Sequence, residues 1–310
     1  MRVLGWVLST FLLAASAWPQ SAADWVKRGN DYSSKGDYVH AIEAYTDSIR
    51  LNPGSPTTFF ARGRVYFRNH DDDRAIQDYT DAIRLAPDYG EAFRERGHAY
   101  QDKVDYKHAI QDYTEAIRLR PGDINVLYAR AFAYERKGDY EPAIADFTEI
   151  IRRFPQAADA YRNRGQARLY SGHLPEALQD LSRAVELDSS GHYNVIWLYI
   201  ARAKGATAAV AVEELTKNAP KLDLTRWPGP VIQLFLGKTT PEAVLQAASN
   251  RDSKKNREQR CEANFYIAEH QAVRGQRKAA LRGFRFASEN CDKDYFFYVP
   301  AARAELANQR

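Results

Sequence analysis

Residues 56–87, PTTFFARGRVYFRNHDDDRAIQDYTDAIRLAP, can be laid over residues 90–121, GEAFRERGHAYQDKVDYKHAIQDYTEAIRLRP, at an offset of 34 without a gap. The register extends one block upstream and two downstream. Gly29, Gly63, Gly97, Ala131 and Gly165 recur every 34 positions, each four residues after a bulky Trp25, Phe59, Phe93, Leu127 or Tyr161. A spacing of four puts both positions on one face of a helix. Later in each block Ala41, Ala75, Ala109, Ala143 and Ala177 stand four residues before Tyr45, Tyr79, Tyr113, Phe147 and Leu181, which marks a second amphipathic helix. Turn formers such as Gly36-Asp37, Gly138-Asp139 and Ser171-Gly172 separate the two helices. Pro53, Pro87, Pro121 and Pro155 end four of the blocks, because proline cannot continue a helix. No single helix pair can bury its apolar face alone, so the blocks must stack, and the expected fold is an all-α solenoid.

Composition agrees with a globular chain: 45% hydrophobic and 27% charged residues over 310 positions. The net charge is only +4, with Lys and Arg interleaved among Asp and Glu, which argues against a nucleic-acid partner. Arg2, the apolar run Val3–Ala15 and the small residues Ala15-Ser16-Ala17 have the three-part form of a secretory signal, and the run is too short for an ordinary membrane span. Residues 1–23 are therefore expected to be a signal peptide, with cleavage after Ala17 or after Ala23. The mature chain is expected to be exported, into the periplasm in a Gram-negative cell. No Cys precedes Cys261, so a signal-proximal lipid anchor is excluded and no stable membrane anchor is expected. Residues 24–190 hold the five regular blocks. The register fades over 191–257, where helices are expected at His192–Lys204, Ala208–Lys217, near Val231–Leu236 and at Pro241–Ser249, with Trp227-Pro228-Gly229-Pro230 as a turn and Asn250–Arg260 as a charged linker or helix start. Residues 258–310 read as a last repeat-like pair carrying Ala268, Ala280, Phe284 and Ala287, closed by a capping helix near Tyr295–Ala307.

Two further patterns follow the chain. Arg62, Arg96, Arg130 and Arg164 precede the small position of the first helix, and Asp78, Asp112, Asp146 and Asp180 precede the aromatic or leucine of the second. Matching periods predict a ladder of partly buried, bidentate ion pairs, with an arginine stripe for anionic ligands as the alternative. Cys261 and Cys291 fall near the start and just past the end of the last antiparallel pair, so a disulfide is geometrically plausible and two buried thiols are the alternative. Two cysteines without a His pair make no zinc site, and neither metal nor cofactor is expected. Seven scattered His, no H-E-x-x-H, no G-x-S-x-G and no phosphate-cradling glycine loop argue against an enzyme, so no catalytic residue is expected.

The aromatic, Gly and Tyr of the first helix and the Ala, aromatic, Ala and Pro of the second resemble the tetratricopeptide repeat (TPR) family over roughly residues 22 to 190. The resemblance implies a right-handed superhelix of antiparallel helix pairs with a divergent helical C-terminal half. It also implies a concave groove lined by the first helix of each pair, here Phe60, Arg64, Phe67, Arg94, His98, Tyr128, Phe132, Glu135, Arg162 and Gln166. Aromatics and arginines are the residue types enriched at binding hot spots, so a protein or extended peptide is the expected partner. The run Trp227–Gly237 and the segment Glu262-Ala263-Asn264-Phe265-Tyr266-Ile267-Ala268 are similar to the NlpI-type envelope TPR lipoproteins, although the lipid-attachment Cys is missing. That resemblance implies a non-catalytic periplasmic adaptor for peptidoglycan hydrolases or a processing protease. The alternative is a module that binds a glycan or peptidoglycan strand. Exposed solenoid ends are compatible with a homodimer.

Overall fold

The computed structural model describes residues 21–291 and 298–308. The signal-like segment before Ser21 lies outside them. Among the described residues there are seventeen α-helices. The repeat region supplies α1 (Ala22–Ser34), α2 (Tyr38–Leu51), α3 (Pro56–Arg68), α4 (Asp72–Leu85), α5 (Gly90–Asp102), α6 (Tyr106–Leu119), α7 (Ile124–Lys137), α8 (Tyr140–Arg153), α9 (Ala158–Tyr170) and α10 (Leu174–Leu187). Beyond it come α11 (His192–Gly205), α12 (Ala208–Asn218), α13 (Gly229–Phe235), α14 (Pro241–Ala247), α15 (Ser253–Val273), α16 (Arg277–Asn290) and α17 (Tyr298–Asn308). The chain forms two compact units, one ending at Ala92 and the other starting at Phe93.

In the first unit α1 packs on α2 and α3 on α4. Each helix start is chemically marked. Ser21 caps α1 in a reciprocal box with Asp24, whose backbone N–H donates to Ser21 Oγ at 3.2 Å while its carboxylate accepts from the Ser21 N–H at 3.2 Å. Ser55 caps α3 and is followed by Pro56 at the first helical position, where the missing N–H is harmless. Tyr45, Phe59 and Tyr79 form the buried centre with Ala41, Ala75 and Ala82.

The second unit continues the pattern with α5 to α10. A Cβ on Gly97 would sit 2.7 Å from Tyr113 Cε1, and one on Gly165 would sit 2.7 Å from Leu181 Cγ. Real side chains do not approach so closely, so the small residue is what lets the second helix of a pair lay its bulky side chain across the first. Beyond α10 the core changes character. Trp197, Phe235, Phe265, Tyr266 and Phe284 are fully buried in one continuous cluster with Val195, Ile196, Ile200 and Val231. Helix α11 is apolar nearly all round because α10, α12, α13 and α15 cover it.

Helix α15 starts at Ser253, capped by Asp252, whose carboxylate accepts from the backbone N–H of Lys254 and Lys255. The charged stretch before Arg260 is thus largely helix, and Cys261 lies two turns inside α15 rather than near its start. Cys291 caps the end of α16, and the two form a disulfide with Cα atoms 5.7 Å apart. Helix α17 packs on α16 and α15 and also reaches α7. That contact brings the end of the chain onto the repeats.

Candidate functional site

The arginine and aspartate positions meet in all four blocks that carry both. Arg62 donates through Nε and Nη2 to Asp78 at 2.8 and 2.8 Å in the first unit. In the second unit Arg96 donates to Asp112 at 2.8 and 2.8 Å, Arg130 to Asp146 at 2.9 and 2.7 Å, and Arg164 to Asp180 at 2.8 and 2.7 Å. Each pair joins the two helices of one block. A third member is absent from the sequence expectation: Arg62, Arg130 and Arg164 also donate through Nη1 to Thr46, Thr114 and Thr148 of the preceding block. These threonines recur at the same 34-residue period, directly after the aromatic, which is the signal that reveals them. The ladder therefore ties block to block. Burial pushes the Asp78 and Asp112 carboxyls up even beside their arginines, so at these two rungs desolvation opposes the attraction of the pair. Each guanidinium of this set is engaged by an aspartate through Nε and Nη2, which favours the ion-pair ladder over an arginine stripe for anionic ligands.

The ten expected groove residues divide. In the first unit Phe60 packs against Tyr79 and Tyr89 with ring centroids 5.8 and 4.9 Å apart, Arg64 lies over Phe60 and is exposed, and Phe67 is half-buried. In the second unit Arg94 is taken up by Glu95 at 2.7 Å and Asp123 at 3.4 Å. His98 Nδ1 lies 2.9 Å from the Tyr113 hydroxyl, and burial holds its pKa below the ordinary histidine value. Tyr128 stacks on Phe132 and faces an apolar hollow with Ile124, Phe154 and Pro155. Phe132, Glu135, Arg162 and Gln166 come together in one cavity of about 290 Å³.

The rest of that cavity comes from outside the expected groove. Arg136 and Asn163 are contributed by α7 and α9, Tyr193 and Trp197 by α11, Glu262 by α15 and Tyr298 by α17. The C-terminal helices thus close part of the repeat face into a pocket. Glu262 organises this wall. Its Oε1 accepts from the Tyr298 hydroxyl at 2.8 Å and the Tyr193 hydroxyl at 3.2 Å, and its Oε2 accepts from Trp227 Nε1 at 2.5 Å. Trp227 and Glu262 belong to the two segments singled out in the sequence, which meet here. Burial raises the Glu262 pKa despite these three donors. Arg162 is held by Asp159 at 2.6 Å and by the side-chain oxygens of Asn194 and Asn163 at 3.3 Å each.

Glu135 is the anomaly. It is 3% exposed, its Oε1 has no hydrogen-bond partner, and burial pushes its carboxyl well above the usual range although Arg136 and Arg162 pull the other way. An orphaned buried carboxyl destabilises the fold. A raised folded-state pKa means that the folded chain keeps a proton which the unfolded chain loses above about pH 4.5. The resulting contribution is complete below that pH and is lost as pH rises. Glu135→Gln is therefore expected to leave stability nearly unchanged at pH 4 and to raise it by about 1–3 kcal/mol at pH 7 to 8. Urea unfolding at the two pH values checks this, and a variant equally affected at both would contradict it.

Among the described residues no group of three or more His, Cys, Asp or Glu is placed to hold a metal ion, and no helix is long and apolar enough to cross a membrane.

Paired antiparallel helices, a small-for-large packing code at each pair and a cavity on the repeat face define an α-helical repeat scaffold. The sequence profile described as tetratricopeptide repeat matches residues 26–89, 60–124 and 128–192, and the chain belongs to the tetratricopeptide repeat family. Proteins of this family are generally non-catalytic scaffolds that bind peptides or proteins. Among solved structures, a tetratricopeptide repeat protein from Parabacteroides merdae is similar over 93% of this chain and 100% of its own, at 16% identity and a TM-score of 0.58. MamA is similar over 54% of this chain and 91% of its own, at 24% identity and a TM-score of 0.51. YrrB, described as a TPR protein with an unusual peptide-binding site, is similar over 56% and 90%, at 20% identity and a TM-score of 0.52. At these identities the likeness concerns the fold. Comparison with the curated proteins gives no match.

Proposed function

We propose that this chain is a non-catalytic adaptor, exported from the cytoplasm, that holds cell-envelope proteins by a segment inserted into the cavity between the repeats and the C-terminal helices. The observation that carries the proposal is the cavity itself, because it joins buried aromatic area to unsatisfied polar capacity, as partner pockets do. The peptide-binding site named for YrrB is in keeping with such a use of the fold. Export is supported by the signal-like first residues and by the Cys261–Cys291 bond, since oxidising compartments preserve disulfides. Of the two cleavage positions, the one after Ala17 keeps the Ser21–Asp24 capping box, whereas the one after Ala23 removes the cap and opens α1. The NlpI-like segments favour peptidoglycan hydrolases or a processing protease as the proteins held, in the periplasm of a Gram-negative cell.

The test is native capture from an envelope extract with the mature chain and with Gln166→Trp, which fills the cavity, after circular dichroism has established equal helicity. Retention of the same defined protein by the wild type and its loss from the variant is the expected result. Equal retention by both would remove the cavity from the binding reaction. Sedimentation with purified peptidoglycan in the absence of other proteins would instead support a glycan-binding module.

A further inference from the structure

The donors around Glu262 and the Arg162 guanidinium are already committed. Tyr193, Tyr298 and Trp227 all donate to Glu262, and Arg162 donates to Asp159, Asn163 and Asn194. What stands vacant is an acceptor, Glu135 Oε1. Gln166 lines the same cavity beside it and is 6% exposed. Buried polar atoms are satisfied in nearly all folded proteins, so a vacant acceptor at a cavity wall calls for a ligand that donates.

We infer that the cavity takes a basic side chain of a partner polypeptide, an arginine or lysine whose N–H groups donate to Glu135 and whose alkyl stem lies along Phe132 and Trp197. This rests on the reading of the cavity as a partner site and specifies what enters it. A charged donor converts the orphaned carboxyl into a charge-assisted pair, and the aromatic faces attract a cation. A neutral donor gains only the weaker bond. An anion would face the Glu135 and Glu262 oxygens and find the hydroxyl and indole donors occupied. Like charge comes from two arginines. That of Arg162 is met by Asp159 at 2.6 Å, and Arg136 has contacts of its own and also borders a second hollow with Tyr106 and Val299.

The experiment titrates acetyl-Gly-Arg-Gly-amide, the same peptide with citrulline or glutamate in place of arginine, and butane-1,4-diamine into the full mature chain. The arginine peptide is expected to bind saturably and at least about tenfold more tightly than its citrulline counterpart, the difference expected of one hydrogen bond to a charged group. Glu135→Gln is expected to remove that preference, and because this variant is expected to be more stable than the wild type, a loss of binding cannot be ascribed to unfolding. Equal binding of citrulline, tighter binding of the glutamate peptide, or indifference to Glu135→Gln would overturn the inference. Tighter binding of the diamine than of the peptide would replace the polypeptide by a free amine. The two readings fail separately. A captured protein whose retention ignores both excess arginine peptide and Glu135→Gln leaves the adaptor standing without the basic residue, and arginine-peptide binding without any captured protein does the reverse.

Discussion

Asp180→Ala is expected to destabilise the chain by about 3–5 kcal/mol, the largest single-residue effect along the ion-pair ladder. Asp180 accepts from Arg164 through both oxygens and also from Arg168 at 2.7 Å, and its side chain is 5% exposed. Its removal strands two guanidinium groups that are themselves mostly covered. The cost lies in the uncompensated charge, not in any large net value of the pair, and a second substitution separates the two. In the neighbouring rung Asp146 accepts from Arg130 through both oxygens, so Arg130→Met combined with Asp146→Leu is expected to fall within about 1 kcal/mol of the wild type while Asp146→Ala alone does not. Thr114 tolerates the exchange because its hydroxyl still donates to the Ile110 carbonyl at 2.7 Å. Chemical denaturation of the single and double variants measures both. A double variant as unstable as the single one would mean that the ladder stabilises by attraction after all.

Loss of the Cys261–Cys291 bond is expected to cost roughly 3–4 kcal/mol, from the loop entropy released when residues 30 apart are no longer joined. The loss is local. Cys261 sits beside Glu262 on α15 and Cys291 ends α16, so the loosened elements are those that hold Glu262 and Tyr298 against the repeats. Hydrogen exchange in reductant is expected to accelerate in α15, α16 and α17 far more than in α1 to α10, together with weaker binding at the cavity. Uniform acceleration along the chain, or none, would show that the bond does not support this wall. A repeat protein made this way has a redox-sensitive end and an insensitive remainder, because each block contacts chiefly its neighbours.

How far the residues alone could be read depended on periodicity. From α1 to α10 the small and bulky positions repeat at a fixed interval, so helix positions, the pairing of Gly97 with Tyr113 and the meeting of Arg130 with Asp146 follow from one register. The threonines that extend the ladder are equally periodic and legible in the same way. Beyond Asp188 the register is lost. Helices such as α11 and α12 remain recognisable from their apolar faces, but nothing local says against which earlier helix they pack.

The candidate site falls on that boundary. Phe132, Glu135, Arg162 and Gln166 are reachable from the repeat, because a groove position is defined by its place in the helix pair. Tyr193, Trp197, Glu262 and Tyr298 are not, since they reach the same cavity from helices tens of residues away in the chain. The fate of Arg94 was equally hidden, for Asp123 takes it up only once the next block is in contact. The sequence by itself determined the repeat, the all-α architecture and the family, because short-range periodicity dictates which faces are buried. Only the tertiary structure decided that the last helices close part of the repeat face into a cavity with an unsatisfied carboxyl, because burial of Glu135 depends on long-range packing that no local pattern encodes.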